Sequence, residues 1–298
     1  MLEFRNLGKD VPIAPFTTYQ IGGPADYFIT ANSKSELAEA VSSARNENMP
    51  YFILGTGANI LVGDKGFRGL VIHNQAKSFH FDDNLLIAES GCVITDLITE
   101  SVKKGLSGLE HFAGIPSSVG GAIWQNLHFL APDRKSTIFI GQFIKSADIL
   151  DRTGEVHTVG NDFFQFGYDD SILHHQEIAV LDVTFALDSK PSTQIEERVI
   201  ANLAWRSKKQ PQLSEYPSCG SVFKKIEGVG AGRLIDKAGL KNKQIGGAAV
   251  SSKHTNYIVN KANATAADVR KLISIVQSEV KRDSGYNLEP EISFIGEF

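Results

Sequence analysis

Cysteine is scarce in this sequence, and its scarcity excludes two kinds of protein. The 298-residue chain contains two cysteines, Cys92 and Cys219, which lie far apart along the chain. Their spacing matches no metal-binding or redox motif, and two distant cysteines imply no disulfide framework. We therefore expect no metal site, and a reducing, cytoplasmic environment.

Long hydrophobic runs and a strong excess of one charge are also missing. No apolar run approaches the roughly 20 residues that cross a membrane, and the N-terminal sequence lacks the apolar core of a signal peptide. The net charge is −4 and the pI is about 6.1, so no basic field points to nucleic acid or to an anionic membrane. A chain of this length predicts roughly two globular domains.

Glycine, in contrast, is abundant, with 27 residues, and it marks two loops of small residues. The first loop, residues 55–59, reads Gly-Thr-Gly-Ala-Asn, and the second loop spans residues 114–121. Successive N–H groups in such loops can bind a phosphate or pyrophosphate. The first loop is neither a dinucleotide-binding fingerprint nor a P-loop, and a tight turn between strands explains it equally well. Two such loops in one chain nevertheless favour one large ligand that contacts both.

Local patterns predict several helices and strands. Ser33 and Thr265, each followed three residues later by an acidic residue, predict the starts of two helices. Residues 178–187 form the clearest predicted strand of the middle section. The polar, proline-bearing stretch at residues 188–192 predicts a domain boundary.

Eight stretches of the chain match one known family in order and nearly end to end. They are residues 18–25, 54–61, 66–72, 113–122, 219–224, 231–240, 245–260 and 288–296. Together they resemble the UDP-N-acetylenolpyruvoylglucosamine reductases of the MurB family, in the shorter subtype that lacks an extra substrate-covering loop. The resemblance implies an α+β fold. Residues 1–188 would form a two-lobed FAD-binding domain of the p-cresol methylhydroxylase/vanillyl-alcohol oxidase type, with lobes at about 1–72 and 73–188. Residues 189–298 would form a C-terminal substrate-binding domain.

The resemblance also implies an activity, that of an FAD-dependent oxidoreductase, UDP-N-acetylmuramate dehydrogenase. NADPH would reduce FAD, and flavin N5 would deliver hydride to the enolpyruvyl ether of UDP-N-acetylglucosamine. The product would be UDP-N-acetylmuramate, a precursor of peptidoglycan. The protein would supply orientation and electrostatic stabilisation. The implied partner is a small nucleotide-sugar substrate, with no nucleic acid and no membrane, and a monomer is expected.

Site residues follow from the same resemblance. Ser221 would be the acid that protonates the carbon beside the substrate carboxylate, and Glu291 would be the second catalytic residue. The substrate would contact Lys224, Asn126, Tyr168 and Arg134. The residues expected to contact FAD are Gly55, Thr56, Gly57, Ala58, Asn59, Ile115, Pro116, Ser117, Ser118, Gly120 and Gly121. Taken alone, a serine after glycine is most often a turn residue, and a glutamate before a final strand is most often solvated.

The chain departs from the family pattern in two places. Residues 168–171 read Tyr-Asp-Asp-Ser where the family usually has Tyr-Arg-x-Ser, and the Gly-Ala-Tyr-Gly that usually follows the second loop is replaced after Asn126. The usual arginine helps to polarise the substrate carboxylate, which Asp169 would repel at close range. We expect Arg134 or Lys135 to supply the missing cation, with Asp169 orienting it.

Alternative functions stay open for this sequence. The enzyme would reduce a related substrate, or have weak or lost reductase activity, if no cation replaces the arginine. A flavin oxidase or dehydrogenase on the same FAD fold is a second class, and His111 and His128 are then conceivable sites of covalent FAD attachment. A non-enzymatic nucleotide-sugar binder is a third.

Overall fold

The computed structural model describes residues 6–226 and 228–298 of the chain. Within these residues, the α-helices are α1 (Lys34–Asn46), α2 (Ile94–Lys103), α3 (Val119–Trp124), α4 (Ser192–Lys209), α5 (Ala231–Lys237) and α6 (Ala266–Ser284). The strands are β1 (Gly8–Pro12), β2 (Pro24–Ala31), β3 (Tyr51–Leu54), β4 (Ile60–Val62), β5 (Phe67–Asn74), β6 (Phe79–Asp82), β7 (Leu85–Glu89), β8 (Leu106–Ser107), β9 (His128–Leu130), β10 (Thr137–Phe139), β11 (Ile144–Leu150), β12 (Val156–Gly160), β13 (Ala179–Ala186), β14 (Asp188–Ser189), β15 (Gln244–Ile245), β16 (Ala248–Val250), β17 (Ile258–Asn260) and β18 (Ser293–Ile295). Five short 3-10 helices are Ala14–Phe16, Leu109–Phe112, Ile140–Phe143, Asn161–Phe164 and Ile172–His174. No helix within these residues has the length and apolar character needed to cross a membrane.

The two predicted helix starts are confirmed, because the side chains satisfy main-chain donors of the first turn. Ser33 Oγ accepts a 3.2 Å hydrogen bond from the N–H of Glu36 at the start of α1. Thr265 Oγ1 accepts a 3.0 Å bond from the N–H of Asp268. The Asp268 carboxylate in turn accepts a 3.1 Å bond from the N–H of Thr265. Such reciprocal caps satisfy donors that the helix itself leaves unpaired.

The chain forms two compact units. The first comprises Ile29–Thr56 and Val71–Arg206 with the described N-terminal residues, and the second comprises Gly8–Phe28, Gly57–Leu70 and Ser207–Phe298.

The first unit is built around a five-stranded antiparallel sheet of order β12-β11-β13-β7-β6. The predicted strand at residues 178–187 is its central strand β13. Leu86, Val183 and Phe185 from the sheet pack in one buried cluster with Leu97 and Ile98 of α2. Burial of these apolar side chains supplies the main driving force for this unit.

The second unit combines the three-stranded sheet β15-β16-β17 with α5 and α6. The apolar stripe of α6, including Val269, Leu272 and Val276, is buried in one cluster with Ile235 of α5 and Val250 of β16. Strand β18 pairs in parallel with β4, with Phe294 opposite Leu61. The chain therefore returns at its C-terminus to the strand that follows the first glycine loop.

Helix α4 shows why these units differ from the continuous domains expected from the sequence. It begins at Ser192, just after the predicted boundary, yet most of it belongs to the first unit. Val199 and Trp205 pack against the core of that unit, and Asn202 Nδ2 donates hydrogen bonds of 3.2 and 3.3 Å to the carbonyl oxygens of Glu110 and His111. The domain boundary near residue 188 stays a prediction.

Candidate active site

The first glycine loop has main-chain donors that no main-chain acceptor of the described residues uses. The N–H groups of residues 55–59 donate no hydrogen bond to a main-chain carbonyl of the described residues. Gly57 adopts a φ of +63°, and a Cβ there would lie 2.5 Å from the carbonyl oxygen of Phe16. The Gly57 carbonyl accepts bonds of 3.1 Å from the N–H of Thr18 and 3.2 Å from its hydroxyl. The turn is therefore tight, requires glycine at position 57, and leaves successive N–H groups available to an anion.

The two glycine loops meet, as expected for a shared ligand. Thr56 Oγ1 donates a 2.8 Å hydrogen bond to the carbonyl oxygen of Pro116. A Cβ on Gly55 would lie 2.2 Å from the hydroxyl of Ser118. Ser118 itself caps α3 by accepting a 3.3 Å bond from the N–H of Gly121. Small side chains at these positions let the backbones approach each other.

The second loop uses more of its main-chain donors than the first. The N–H groups of Val119 and Gly120 donate bonds of 2.8 and 2.7 Å to the carbonyl oxygens of Cys92 and Ser90. This part of the loop packs against the residues that follow β7. The N–H groups available to an anion thus belong mainly to the first loop.

The proposed acid and glutamate lie on two segments of the second unit that pair with each other. The N–H of Glu291 donates a 2.8 Å bond to the carbonyl oxygen of Val222, and the N–H of Lys224 donates a 2.9 Å bond to that of Glu289. Phe223 and Pro290 form an antiparallel bridge between the segments. Ser221 and Glu291 are therefore held on neighbouring segments by main-chain hydrogen bonds.

Asn256 holds the Ser221 segment on its other side, and the sequence analysis missed it. Its side chain accepts a 3.1 Å bond from the N–H of Phe223 and donates a 2.8 Å bond to the carbonyl oxygen of Phe223. Its own carbonyl accepts a 2.8 Å bond from the N–H of Val222. The available signal was weak, namely one amide residue between the predicted strands of the C-terminal part.

His254 supports Asn256 in turn. Its Nδ1 accepts a 3.2 Å bond from the N–H of Asn256, so this nitrogen carries no proton and the ring proton lies on Nε2. Burial lowers the pKa of His254, because a buried site penalises the cation.

Asn59 connects the first loop to the Glu291 segment. Its carbonyl oxygen accepts a 3.0 Å bond from the N–H of Ser293, and its side-chain amide donates a 3.4 Å bond to the carbonyl oxygen of Glu291. The structure therefore brings one predicted FAD contact next to one predicted catalytic residue.

Cys219 lies two residues before Ser221 but has the character of a core residue. Burial raises the pKa of its thiol, and the negative charge of Glu291 raises it further. The neighbouring Tyr19 is also fully buried and donates a 2.8 Å bond to the carbonyl oxygen of Ile258. A thiol with a raised pKa carries little thiolate and is a poor nucleophile.

The predicted substrate contacts differ in exposure. Lys224 is partly exposed and pairs with Glu289. Asn126 is buried, and its side chain accepts a 3.3 Å bond from the N–H of Gly141 and donates a 2.8 Å bond to the carbonyl oxygen of Gly167. Tyr168 is 40% exposed. Asn126 thus orders the turn that carries Tyr168.

Arg134 and Asp169 do not form the pair that we expected from the sequence. Arg134 Nη2 donates a 2.9 Å bond to Asn202 Oδ1, and its guanidinium lies 5.5 Å from the ring centre of Trp205. The Asp133 carboxylate accepts hydrogen bonds from the N–H groups of Lys135 and Ser136, which form a turn. The side chain of Lys135, within this turn, is exposed. Arg134 is thus held by α4 and not by Asp169, and the expectation that Arg134 or Lys135 supplies the missing cation stays a prediction.

The carboxylate of Asp169 instead faces an imidazole. Oδ1 of Asp169 lies 3.4 Å from Nδ1 of His128. The His128 ring lies 4.7 Å from that of Tyr168 and 5.4 Å from that of Phe139. His111 lies elsewhere in this unit, 3.7 Å from the buried Glu110 carboxylate, and burial lowers its pKa. His111 is therefore a structural histidine of the core.

Comparison with known proteins assigns the family. The family model described as UDP-N-acetylenolpyruvoylglucosamine reductase, C-terminal domain, matches residues 210–295. The model described as FAD binding domain matches residues 25–160. Two UDP-N-acetylenolpyruvoylglucosamine reductases from Clostridium botulinum strains are similar to this chain. The Eklund 17B protein is 39% identical over 99% of this chain and 96% of its own length. The Alaska E43 protein is 40% identical, with the same coverage of both chains. The chain belongs to the UDP-N-acetylenolpyruvoylglucosamine reductase family.

The fold of this family member agrees with that assignment. The crystal structure of the MurB reductase from Thermus caldophilus superposes with a TM-score of 0.81 at 30% identity, covering 98% of this chain and 100% of that chain. The predicted family and α+β fold are therefore confirmed, and the match to the FAD binding domain confirms the expected FAD.

The residues of this family member fit FAD on structural grounds as well. The main-chain N–H groups of the first loop donate no hydrogen bond to a main-chain carbonyl of the described residues. Such N–H groups suit the pyrophosphate of FAD. Gly55 and Gly57 pack against Ser118 and Phe16 with no room for a Cβ, which keeps the loop in its tight conformation.

One group of possible metal ligands exists among the residues that the structure describes, and we assign no metal to it. Asp151, Glu155 and His157 lie on the hairpin between β11 and β12, and the last two are exposed. The Asp151 carboxylate accepts bonds from Thr153 and Glu155, and these bonds lower its pKa. Turn formation accounts for the cluster.

Proposed function

We propose that this family member is an NADPH-dependent flavoenzyme that reduces the enolpyruvyl ether of UDP-N-acetylglucosamine to UDP-N-acetylmuramate. It would act as a cytoplasmic monomer in peptidoglycan precursor synthesis. The observation that carries the proposal is the main-chain pairing that holds Ser221 and Glu291 on neighbouring segments. Both residues belong to the region matched by the family's C-terminal domain model.

FAD is held in this proposal by the two glycine loops. The main-chain N–H groups of residues 55–59 bind the pyrophosphate, and the side chain of Asn59 orders the loop through its bond to Glu291. Ile115, Pro116, Ser117, Ser118, Gly120 and Gly121 lie along the rest of the cofactor. When bound, FAD accepts hydride equivalents from NADPH and supplies hydride to the terminal carbon of the substrate.

Ser221 supplies the proton in this proposal. Hydride addition at the terminal carbon leaves negative charge that spreads from the neighbouring carbon into the carboxylate. The Ser221 hydroxyl transfers its proton to that neighbouring carbon and regains one from solvent. Glu291 is the second catalytic residue of this proposal, held beside the Ser221 segment by main-chain hydrogen bonds. The second half-reaction thus adds one hydride and one proton across the double bond.

The predicted substrate contacts complete the proposal. Lys224 binds the diphosphate or the carboxylate as a point charge. Tyr168 is 40% exposed, and Asn126 orders its turn. Arg134 is the weakest member of the set, because its guanidinium is engaged by Asn202 and Trp205.

Anaerobic spectroscopy tests the function directly. The purified flavoprotein is mixed with NADPH, and loss of the oxidised flavin absorbance is followed. The enolpyruvyl nucleotide sugar is then added. Recovery of the oxidised spectrum, with one UDP-N-acetylmuramate formed per flavin, supports the proposal. Reduction by a hydroxylated sugar instead of NADPH would assign a flavin dehydrogenase, and a colourless protein that binds the nucleotide sugar would assign a binding protein.

A further inference from the structure

Thr18 contacts the first glycine loop through two hydrogen-bond donors of one residue. Its main-chain N–H donates a 3.1 Å bond to the carbonyl oxygen of Gly57, and its hydroxyl donates a 3.2 Å bond to the same oxygen. Both residues belong to the second unit. A carbonyl oxygen has two lone pairs, so these two donors use its full hydrogen-bonding capacity. Thr18 therefore fixes the direction of the Gly57 carbonyl group.

The direction of this carbonyl group determines the direction of the next N–H group. The peptide bond between Gly57 and Ala58 is planar and trans. In a trans peptide the C=O and N–H groups point in opposite directions, so the N–H of Ala58 points away from Thr18. That N–H donates to no main-chain carbonyl of residues 6–226 and 228–298. It is one of the N–H groups that we assign to the FAD pyrophosphate.

Glycine at position 57 makes this support necessary. Gly57 adopts a φ of +63°, and glycine has the widest choice of backbone conformations of any residue. The peptide plane that follows a glycine can therefore rotate more easily than other peptide planes. Two hydrogen bonds to the Gly57 carbonyl select one orientation of that plane.

The segment that carries Thr18 is anchored in the core of the second unit. Tyr19 is fully buried, and its hydroxyl donates a 2.8 Å bond to the carbonyl oxygen of Ile258. The side-chain amide of Asn260 donates a 3.1 Å bond to the carbonyl oxygen of Tyr19. Tyr19 also lies in the same buried cluster as Val222. Thr18 is thus held by its neighbour and can serve as a fixed point for the loop.

The carbonyl group of Thr18 anchors it on another side. Its oxygen accepts a 3.1 Å bond from the N–H of Ser218, three residues before Ser221. Ser218 in turn forms a bridge with Val259 of β17. Thr18 therefore contacts the first loop through its donors and the segment before Ser221 through its acceptor.

The preceding residue, Thr17, has the same side chain but different partners. Its hydroxyl lies 3.1 Å from the carbonyl oxygen of Ala14 and 3.2 Å from that of Ile21. These partners belong to the same turn of the chain, whereas the hydroxyl of Thr18 reaches a residue 39 positions away. Thr17 thus stabilises its own turn, and it offers a matched control for Thr18.

We propose that Thr18 is a positioning residue for FAD, whose hydroxyl holds the Gly57 carbonyl so that the N–H of Ala58 faces the pyrophosphate. This inference rests on the proposed function, which assigns the pyrophosphate to residues 55–59. Thr18 acts through the peptide group between Gly57 and Ala58 and transfers no proton.

Release of FAD from the diluted holoenzyme tests this role without any substrate. Valine has the shape of threonine without the hydroxyl, so Thr18→Val removes one of the two bonds to Gly57 and keeps the main-chain bond. FAD dissociation, followed by the rise of flavin fluorescence, should become about 2–10-fold faster, the effect of one neutral hydrogen bond. Thr18→Ser keeps the hydroxyl and should release FAD at nearly the wild-type rate.

Hydrogen exchange of the Ala58 amide separates positioning from general stabilisation. The holoenzyme is labelled with ¹⁵N-alanine, and the signal that disappears in Ala58→Gly identifies this amide. In wild-type protein the amide should be protected, because the pyrophosphate accepts its hydrogen bond. In Thr18→Val its exchange should be about 2–10-fold faster, whereas the other alanine amides keep their rates. Faster exchange of all alanine amides would indicate lower global stability and overturn the proposal.

The control variant and the wild-type enzyme complete the test. Thr17→Val should lower the free energy of unfolding but leave FAD release and Ala58 exchange unchanged. Faster FAD release in Thr17→Val than in Thr18→Val, or wild-type behaviour of Thr18→Val, would overturn the role of Thr18. Thr18→Ala gives the same comparison if Thr18→Val does not fold.

Two further outcomes separate this inference from the proposed function. An unprotected Ala58 amide in the wild-type holoenzyme would overturn the assignment of the pyrophosphate to this loop and the role of Thr18 with it. A wild-type enzyme with a protected Ala58 amide that the enolpyruvyl sugar does not reoxidise would overturn the proposed reductase function alone.

Discussion

The N–H of Glu291 donates a 2.8 Å hydrogen bond to the carbonyl oxygen of Val222. This bond joins the segment before the last strand to the segment that carries Ser221. Main-chain hydrogen bonds are directional and do not depend on side-chain rotamers, so the two proposed catalytic residues keep a fixed relation. Because this bond involves only main-chain atoms, the side chain of either residue can be replaced while the pairing of the two segments is kept.

Loss of the Ser221 hydroxyl should affect one half-reaction. Ser221→Ala should leave reduction of the flavin by NADPH nearly normal and slow its reoxidation by the enolpyruvyl substrate by about 10²–10⁴-fold, the usual effect of losing a general acid. Cys219 should not substitute, because it is buried and the pKa of its thiol is raised. Stopped-flow absorbance measures both steps, with Ser214→Ala in the exposed preceding loop as control. Equal losses in both steps would indicate damaged FAD binding.

The cofactor should be bound without a covalent bond. We expect one FAD per chain, released into the supernatant by acid precipitation, because the loops that fit it bind through main-chain groups and small side chains. His111 is buried beside Glu110, which makes it a poor attachment site. Flavin colour that stays with the precipitated protein would contradict this expectation and favour the oxidase class.

Glycine at position 57 should be required for folding and for FAD. Gly57→Ala places a Cβ 2.5 Å from the Phe16 carbonyl oxygen at a φ of +63°. The left-handed conformation alone costs roughly 1–2 kcal/mol. The matched control is Gly160→Ala, where a Cβ meets nothing within 4 Å and φ is −85°. That variant should gain about 0.4–1 kcal/mol or change little. Urea unfolding and the flavin-to-protein absorbance ratio measure both variants, and equal behaviour would contradict the assigned strain.

The side chain of Asn256 should stabilise the Ser221 segment. Asn256→Ala leaves the buried N–H and C=O of Phe223 without this partner, at about 1–3 kcal/mol for each unsatisfied group. We expect a lower free energy of unfolding and slower reoxidation of flavin by substrate. Asn287→Ala, at an exposed amide bonded to Lys281, should change stability by no more than about 0.5 kcal/mol. Similar unfolding midpoints for the two variants would argue against the role of Asn256.

Acid should weaken the same region through His254. Burial lowers the pKa of this imidazole in the folded state, whereas in the unfolded chain it is about 6.5. The unfolded state therefore binds more protons once the pH falls below about 6.5, and the free energy of unfolding must decrease there. His254→Gln should show a smaller decrease between pH 7.5 and pH 5.5 in urea unfolding experiments. An equal decrease would assign the acid sensitivity to other groups, such as His73, whose pKa burial also lowers.

The amino-acid sequence by itself determined the features that depend on neighbouring residues. The helix starts at Ser33 and Thr265, the strand β13 and the tight loop at residues 55–59 follow from caps, apolar patterns and glycine spacing. These signals lie within a few residues of the structure they produce. The ordered blocks also identified the family, because their residue types and spacing are visible in the chain alone.

Only the tertiary structure decided which distant residues meet. The pairing of Val222 with Glu291, the support of Phe223 by Asn256, and the contact of His128 with Asp169 join segments that no local pattern connects. The sequence suggested Arg134 or Lys135 as the replacement cation oriented by Asp169, because both lie in a loop that departs from the family pattern. The turn at Asp133 and the packing of α4 direct Arg134 to Asn202 instead. Contacts between residues far apart in the sequence depend on how whole helices and strands pack. The sequence alone offers several oppositely charged partners for one side chain and does not select among them.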